Sequence, residues 1–422
     1  MCSVTTVPSI DPVPELVTRT VEIPDPGALL SLLPDDAPLA WVRRGEGLVG
    51  WGEAARFSAT GADRFSAAER WWNRLSKTAV VRDEVDLPGT GPVAFGSFTF
   101  DDAGTSTLIL PETVVGHRDG RWWVTTVSVT GNLPPWPMLP RVSPPRRPGL
   151  VTFADGALSG PEWELVVAQA VERINAGELE KVVLARDLVA ESPGTIDPRW
   201  PLNRLSDRYQ RCWTFSVDGI LGATPELLVR RERGLVTSRV LAGTIRRTHD
   251  DIHDLALAAS LARSSKDLEE HEFAVRSVAD ALAPFCSSMN VPETPFVLHL
   301  SNVMHLATDL AGVASGNVSS LTLAEALHPS AAVGGTPTDK AREVIREIEP
   351  LDRGRYAAPV GWIDANGDGE WGIALRCAQS DPAGGSRMRL FAGCGIVAGS
   401  DPGAELAEST AKLVPMRDAL TR

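Results

Sequence analysis

Cysteine is scarce and scattered: five residues (Cys2, Cys212, Cys286, Cys377, Cys394) in a chain of 422, with no CxxC pair. An odd, widely spaced set argues against a disulfide frame or a zinc site and fits free thiols in a reducing compartment. Basic residues are outnumbered by acidic ones, 41 to 54, giving a formal net charge of −13. That balance argues against nucleic-acid binding, which favours basic surfaces, and gives no global steering for a small anion. An anionic ligand would need local cations. No apolar stretch approaches the ~18 uncharged residues of a membrane helix. The first residues, MCSVTTVPSIDPVPELV, lack the basic segment and apolar core of a secretion signal, so a cytoplasmic location is expected. There is no internal repeat.

What is present reads as strands. Residues 20–130 carry short apolar runs such as APLAWVRRG, GPVAFGSFTF and GRWWVTTVSVTG, broken by glycine, proline and aspartate and interrupted by one helix near 62–77. The segment 131–150 holds seven prolines and cannot be regular structure. It divides a β-rich part, 1–150, from a second region, 151–422, as a linker or as a loop over one surface. Beyond it the pattern predicts a helix at 160–176, a strand at 181–188, three strands in 213–246 and one long helix over 252–282. A strand at 297–310, short helices at 323–327 and 339–347, two hairpins and a terminal helix follow. Antiparallel hairpins with segregated helices indicate an α+β fold, with large mixed, mostly antiparallel sheets packed together and helices outside.

The run 389–412, RLFAGCGIVAGSDPGAELAESTAK, predicts a strand to Ala392, a glycine turn at Gly393 and Gly395, and a helix opened by Asp401-Pro402. Within the helix Glu405, Glu408 and Lys412 share one narrow face, with Leu406, Leu413 and Val414 supplying the apolar stripe opposite. Spacing alone allows either a solvated, ion-paired surface or a site for a hard cation beside an anion. Lys181 leads a largely apolar strand, where keeping an amine charged is costly and a neutral general base becomes available. Glu226 immediately precedes another apolar strand, where poor hydration would let its carboxyl hold a proton and act as an acid. Asp267 and Glu270 lie one turn apart on a helix, and Arg376 alternates with apolar neighbours along a strand, its fork suited to a planar carboxylate. Two motifs are rejected. DANGDG (364–369) begins like a calcium loop but has Leu375 where the twelfth-position glutamate belongs, and the glycines at 393 and 395 open no helix of a dinucleotide site.

Blocks in constant order, namely LEKVVLAR, GATPELLVRR, LAGTIRR, SSKDLEEHEF, MHLATDL, LHPSAAVGG, EPLDRGRYAAPVGWID, IALRCA and the 389–412 run, resemble the chorismate-utilising enzymes. The resemblance covers more than half of the chain, 179–412. It implies the fold of that family, with 131–150 a surface loop of one integrated fold. It casts Lys181 as the base that activates water, Glu226 as the acid, and Mg²⁺ as the cofactor. Glu270 and Glu408 would bind the ion, with Glu405 reaching it through water and Asp267 in support. Arg376, Lys412 and the backbone near Gly243, Thr244 and Gly393 would hold the substrate carboxylates, with His305 and Ala332 near the ring. Family members that use ammonia lack lysine at position 181. The resemblance therefore implies isomerisation of chorismate to isochorismate for menaquinone or siderophore synthesis. Salicylate formation with pyruvate loss, or a non-catalytic chorismate-binding protein, are the alternatives. No amidotransferase partner is expected, and a monomer is allowed. Leu268 stands where the family carries arginine, which touches a surface contact and not the metal set.

Overall fold

Glycine and aspartate turns fold this chain into long ladders of strands. The computed structural model describes residues 15–421 apart from 137, 249, 300–302 and 382–384, and excludes the side chains of Thr244, Lys266 and Glu270. Two sheets, of thirteen and ten strands, carry the architecture. The larger runs from Thr152–Asp155 at one edge through Lys181–Glu191, Arg387–Ile396, Cys377–Ser380, Ile220–Thr224 and Trp213–Val217 to Leu39–Arg43. It continues through Glu46–Trp51, Thr113–Arg118, Arg121–Ser128 and Val17–Ile23 to Val80–Asp83, with the short strand Gly335–Thr336 also paired to Lys181–Glu191. The smaller runs from Cys286–Asn290 through Val303–Ala314, Leu235–Arg246, Leu227–Glu232, Gly369–Ile373, Pro359–Asp364, Val93–Ser97 and Ser106–Leu110 to Ala55–Ala59. Phe296–His299 pairs with Val303–Ala314 off this path. Every described strand pair but Val17–Ile23 with Val80–Asp83 is antiparallel. Both sheets draw strands from either side of the proline-rich segment.

Apolar side chains of both sheets, among them Trp41, Phe95, Phe215 and Trp371, form one core cluster. Among the described residues eight α-helices complete the α+β fold: α1 (Arg64–Lys77), α2 (Gly160–Asn175), α3 (Arg199–Arg208), α4 (Asp251–Leu261), α5 (Ser265–Leu282), α6 (Ser320–Ala326), α7 (Thr338–Ile348) and α8 (Pro402–Thr421). α3 and α8 seal a second cluster with Leu390, Leu202, Leu413 and Met416 against the larger sheet. α4 and α5 lie on the strands Leu235–Arg246 and Val303–Ala314.

Several elements depart from the pattern-based expectation. The 213–246 region makes four strands, because left-handed turns at Asp218-Gly219 (φ 52° and 83°) and Arg233-Gly234 (φ 49° and 85°) fold it twice. The long helix splits in two: the Ser264 hydroxyl accepts the Asp267 N–H at 3.3 Å and starts α5 afresh. The 297–310 strand is a pair, Phe296–His299 and Val303–Ala314. The expected glycine turn is absent, since Arg387–Ile396 runs unbroken through Gly393 and Gly395. In α8 it is Leu413, Met416, Ala419 and Leu420 that are buried, while Val414 is 41% exposed. The strand placement of Arg376 also fails. It sits between strands with a left-handed φ of 50°, in a corner where the chain leaves the smaller sheet for the larger.

Candidate active site

Two of the links at which the chain crosses between sheets are neighbours. Residues 225–226 lead from the larger sheet to the smaller, and 374–376 lead back. The two are stitched together: the Glu226 carbonyl accepts the Ile373 N–H at 3.2 Å, and the Arg376 carbonyl accepts the Ala223 N–H at 3.3 Å. Beside them opens a cavity of about 660 Å³. Its wall contains Lys181, Glu226, Gly243, Asp267, His305, Ala332, Arg376, Gly393, Glu405, Glu408 and Lys412, residues drawn from positions more than two hundred apart. The side chains of Thr244 and Glu270 lie outside the described residues. Their backbones place Thr244 opposite His305 in the sheet and Glu270 one turn beyond Asp267 on α5.

Glu226 is 9% exposed, and burial pushes its carboxyl up to about 7, against the pull of the Lys181 and Lys412 charges. A carboxylic acid that keeps its proton near neutral pH can donate it. Lys181 begins its strand half-buried, and its stem passes directly over Gly395. A Cβ on Gly395 would fall 2.8 Å from Lys181 Cε and 3.4 Å from Nζ, so the glycine makes room for the amine. Gly243 forms a bulge with φ +75° between Ala242 and Thr244, bringing the backbone against Asp267 and into a hydrogen bond with His305. Burial, reinforced by the Arg376 and Lys412 charges, holds His305 down at about 3, so its ring is neutral. Lys412 Nζ donates to the Gly393 carbonyl at 3.0 Å and pairs with Glu408 at 2.7 Å. Arg376 and Lys412 bring cations to the cavity of a chain whose net charge is negative.

Glu405, Glu408 and Cys394 present ligand atoms within 4.8 Å of one another. Burial works to raise Glu408, but Lys412, Arg246 and Arg376 outweigh it and hold that carboxyl below its usual range. Burial, joined by the Glu408 charge and opposed by the Ser400 hydroxyl, pushes Glu405 up. Burial pushes the Cys394 thiol up to about 12, and its Sγ donates to the Glu405 carbonyl at 3.4 Å. The remaining donors are carboxylate oxygens, with Asp267 on the same wall, and an all-oxygen set fits a hard divalent cation. His271, beside Glu270, is turned away from this role, its Nε2 hydrogen-bonded to Thr308 Oγ1 at 2.7 Å.

Sequence patterns passed over several wall residues. Tyr356, one of two tyrosines in the chain, is buried and stacks on Phe391 with ring centroids 5.2 Å apart. A Cβ on Gly393 would lie 3.0 Å from the Tyr356 hydroxyl. Tyr356 falls within EPLDRGRYAAPVGWID, and its isolation in so tyrosine-poor a chain is the signal that could have marked it.

The sequence matches the family described as chorismate binding enzymes over residues 18–132 and 144–421. The chain belongs to that family. It is 37% identical over 341 residues to isochorismate synthase DhbC of Bacillus subtilis, covering 78% of this chain and 81% of that one. It is 33% identical over 405 residues to isochorismate synthase MenF of the same organism, covering 88% and 85%. The solved structure of the menaquinone-specific isochorismate synthase MenF from Escherichia coli superposes with a TM-score of 0.80 at 25% identity, covering 97% of this chain and 95% of that chain. Residues 133–143, outside the family match, fall inside the proline-rich segment, and none of the described residues among them lines the cavity.

Two outcomes follow from this geometry. Gly395→Ala, whose backbone conformation alanine tolerates, should leave the unfolding midpoint nearly unchanged while turnover falls about 100-fold, the usual effect of an ångström-scale displacement. Unchanged turnover would show that the position of the Lys181 amine does not matter. For an acid with a pKa of about 7, kcat/KM should fall as pH rises above neutrality, because the proton to be donated is lost. Glu226→Gln should abolish that alkaline limb and lower the rate by roughly two to four orders of magnitude.

Proposed function

We propose that this chain is an isochorismate synthase, which interconverts chorismate and isochorismate. The observation that carries the reading is one cavity lined both by an amine, Lys181, and by a buried carboxyl, Glu226, that burial pushes up to about 7. The named activities of the relatives support it.

In the proposed reaction the Lys181 amine acts as the base and takes a proton from water as that water adds to C2 of the ring. The ring double bonds shift, and Glu226 delivers its proton to the C4 hydroxyl, which leaves as water. One water enters and one leaves, so no oxidant or covalent intermediate is required, and the reaction is reversible. Arg376 and Lys412, with the backbone at Gly243, Thr244 and Gly393, hold the two carboxylates, and neutral His305 faces the ring without adding charge. Ala332 lines the side where the enolpyruvyl group would lie.

Glu270 and Glu408 would hold Mg²⁺, Glu405 would reach it through water, and Asp267 would support them. When bound, magnesium would supply a Lewis acid and a template for the ring carboxylate. Excess chelator should stop turnover and added Mg²⁺ should restore it, whereas full activity in EDTA would remove the metal assignment.

Incubation with chorismate and Mg²⁺, followed by chromatography, should give isochorismate as the main product with little pyruvate. Ala332 offers no hydroxyl to hold the side chain in an eliminating pose. Pyruvate released at the rate of chorismate loss would instead identify a salicylate synthase, and no conversion at all would identify a non-catalytic binding protein. Lys181→Ala should lose roughly two to four orders of magnitude in rate. Whether the product feeds menaquinone or a siderophore is decided by the enzymes that receive it.

A further inference from the structure

Arg353 and Glu349 form an ion pair that the proposed chemistry does not use, with their side chains 3% and 1% exposed. Burying two charges is costly unless every remaining donor and acceptor is satisfied, and a pair of this kind is weak evidence of stabilisation by itself. Where its hydrogen bonds go is therefore informative. Arg353 Nε and Nη2 donate to the Glu349 carboxylate at 2.6 and 2.8 Å. Its Nη2 also donates to the Val183 carbonyl at 2.6 Å, and Nη1 to the Val333 carbonyl at 3.0 Å. Glu349 Oε2 in turn accepts the Ala185 N–H at 2.8 Å. The Phe100 ring lies against the guanidinium, 4.2 Å from its carbon. The Arg353 carbonyl accepts the Tyr356 N–H at 2.9 Å.

These contacts end on three separate parts of the cavity wall. Val183 is two residues beyond Lys181 on the same strand face, Val333 follows Ala332, and Tyr356 covers Gly393. Only a planar fork with several donors can bridge two carbonyls and a carboxylate at once, and a lysine ammonium cannot reproduce that geometry. We propose that Glu349 and Arg353 are positioning residues, a buried clamp that fixes the 331–333 loop and Tyr356 relative to the strand carrying Lys181. The functional part of this inference rests on the isochorismate synthase reading; the structural part does not.

The test compares the parent with Arg353→Lys and with the double variant Glu349→Gln/Arg353→Met, which removes both charges and leaves neither unpaired. Three quantities are read on the magnesium-loaded protein: the unfolding midpoint, deuterium uptake by a peptide spanning 329–337, and kcat and KM for chorismate. Both variants are expected to fold, with uptake in that peptide raised several-fold. Turnover should fall about 100-fold while KM changes less than about threefold, as misplacement of a bound substrate requires. A lower midpoint with parental uptake in 329–337 and parental kcat would reduce the pair to a structural role and overturn the proposal. If the parent itself does not convert chorismate, the proposed function fails, and raised uptake in the variants still supports the clamp while parental uptake removes it.

Discussion

The structure depends on how a carboxyl can be taken out of water without being ionised or wasted. Glu226 lies where the chain leaves one sheet for the other, and an adjacent crossing at 374–376 closes over it. A sheet interior would have no room for a substrate, and an exposed loop would leave the carboxyl hydrated and ionised. The crossing gives both burial and access. Because the links lie between strands of two large ladders, the acid, Arg376 and the cavity floor inherit the rigidity of sheets rather than the mobility of loops.

Around that buried acid the charges are distributed by sign. The chain carries thirteen more formal negative than positive charges, yet Lys181, Arg376 and Lys412 converge on the cavity. Their placement explains the titration behaviour of their neighbours. Arg376 and Lys412 assist burial in keeping His305 neutral, and with Arg246 they hold Glu408 ionised. Carboxylate and cationic side chains thus adjoin through the Glu408–Lys412 pair. That juxtaposition suits a ligand which brings its own carboxylates and shares one of them with a metal.

Local sequence patterns revealed much of this. The separation of the two sheets could not be read, because strand order is set by pairings between residues hundreds apart, such as Trp362 with Phe95. Helices opened by strong caps, such as α2 with Ser159 and Glu162, fell close to their expected bounds. The break between α4 and α5 was missed because a single serine cap is a weak signal within an apolar run. Arg376 was expected on a strand because period-two alternation cannot reveal a left-handed φ at a non-glycine residue. Eleven of the thirteen candidate residues share the cavity wall, while the other two have side chains outside the described residues. That convergence came from motif order. Tyr356, Gly395 and the Arg353 clamp lay within quoted motifs but act through tertiary contacts that no spacing rule encodes.

The central claim is that an external water, activated at Lys181, supplies the new hydroxyl while Glu226 releases the old one. Single-turnover conversion of chorismate in H₂¹⁸O, analysed by mass spectrometry, tests this directly. The account predicts one solvent-derived oxygen in isochorismate, located in the C2 hydroxyl. Product whose C2 hydroxyl retains the unlabelled oxygen of the substrate would contradict it.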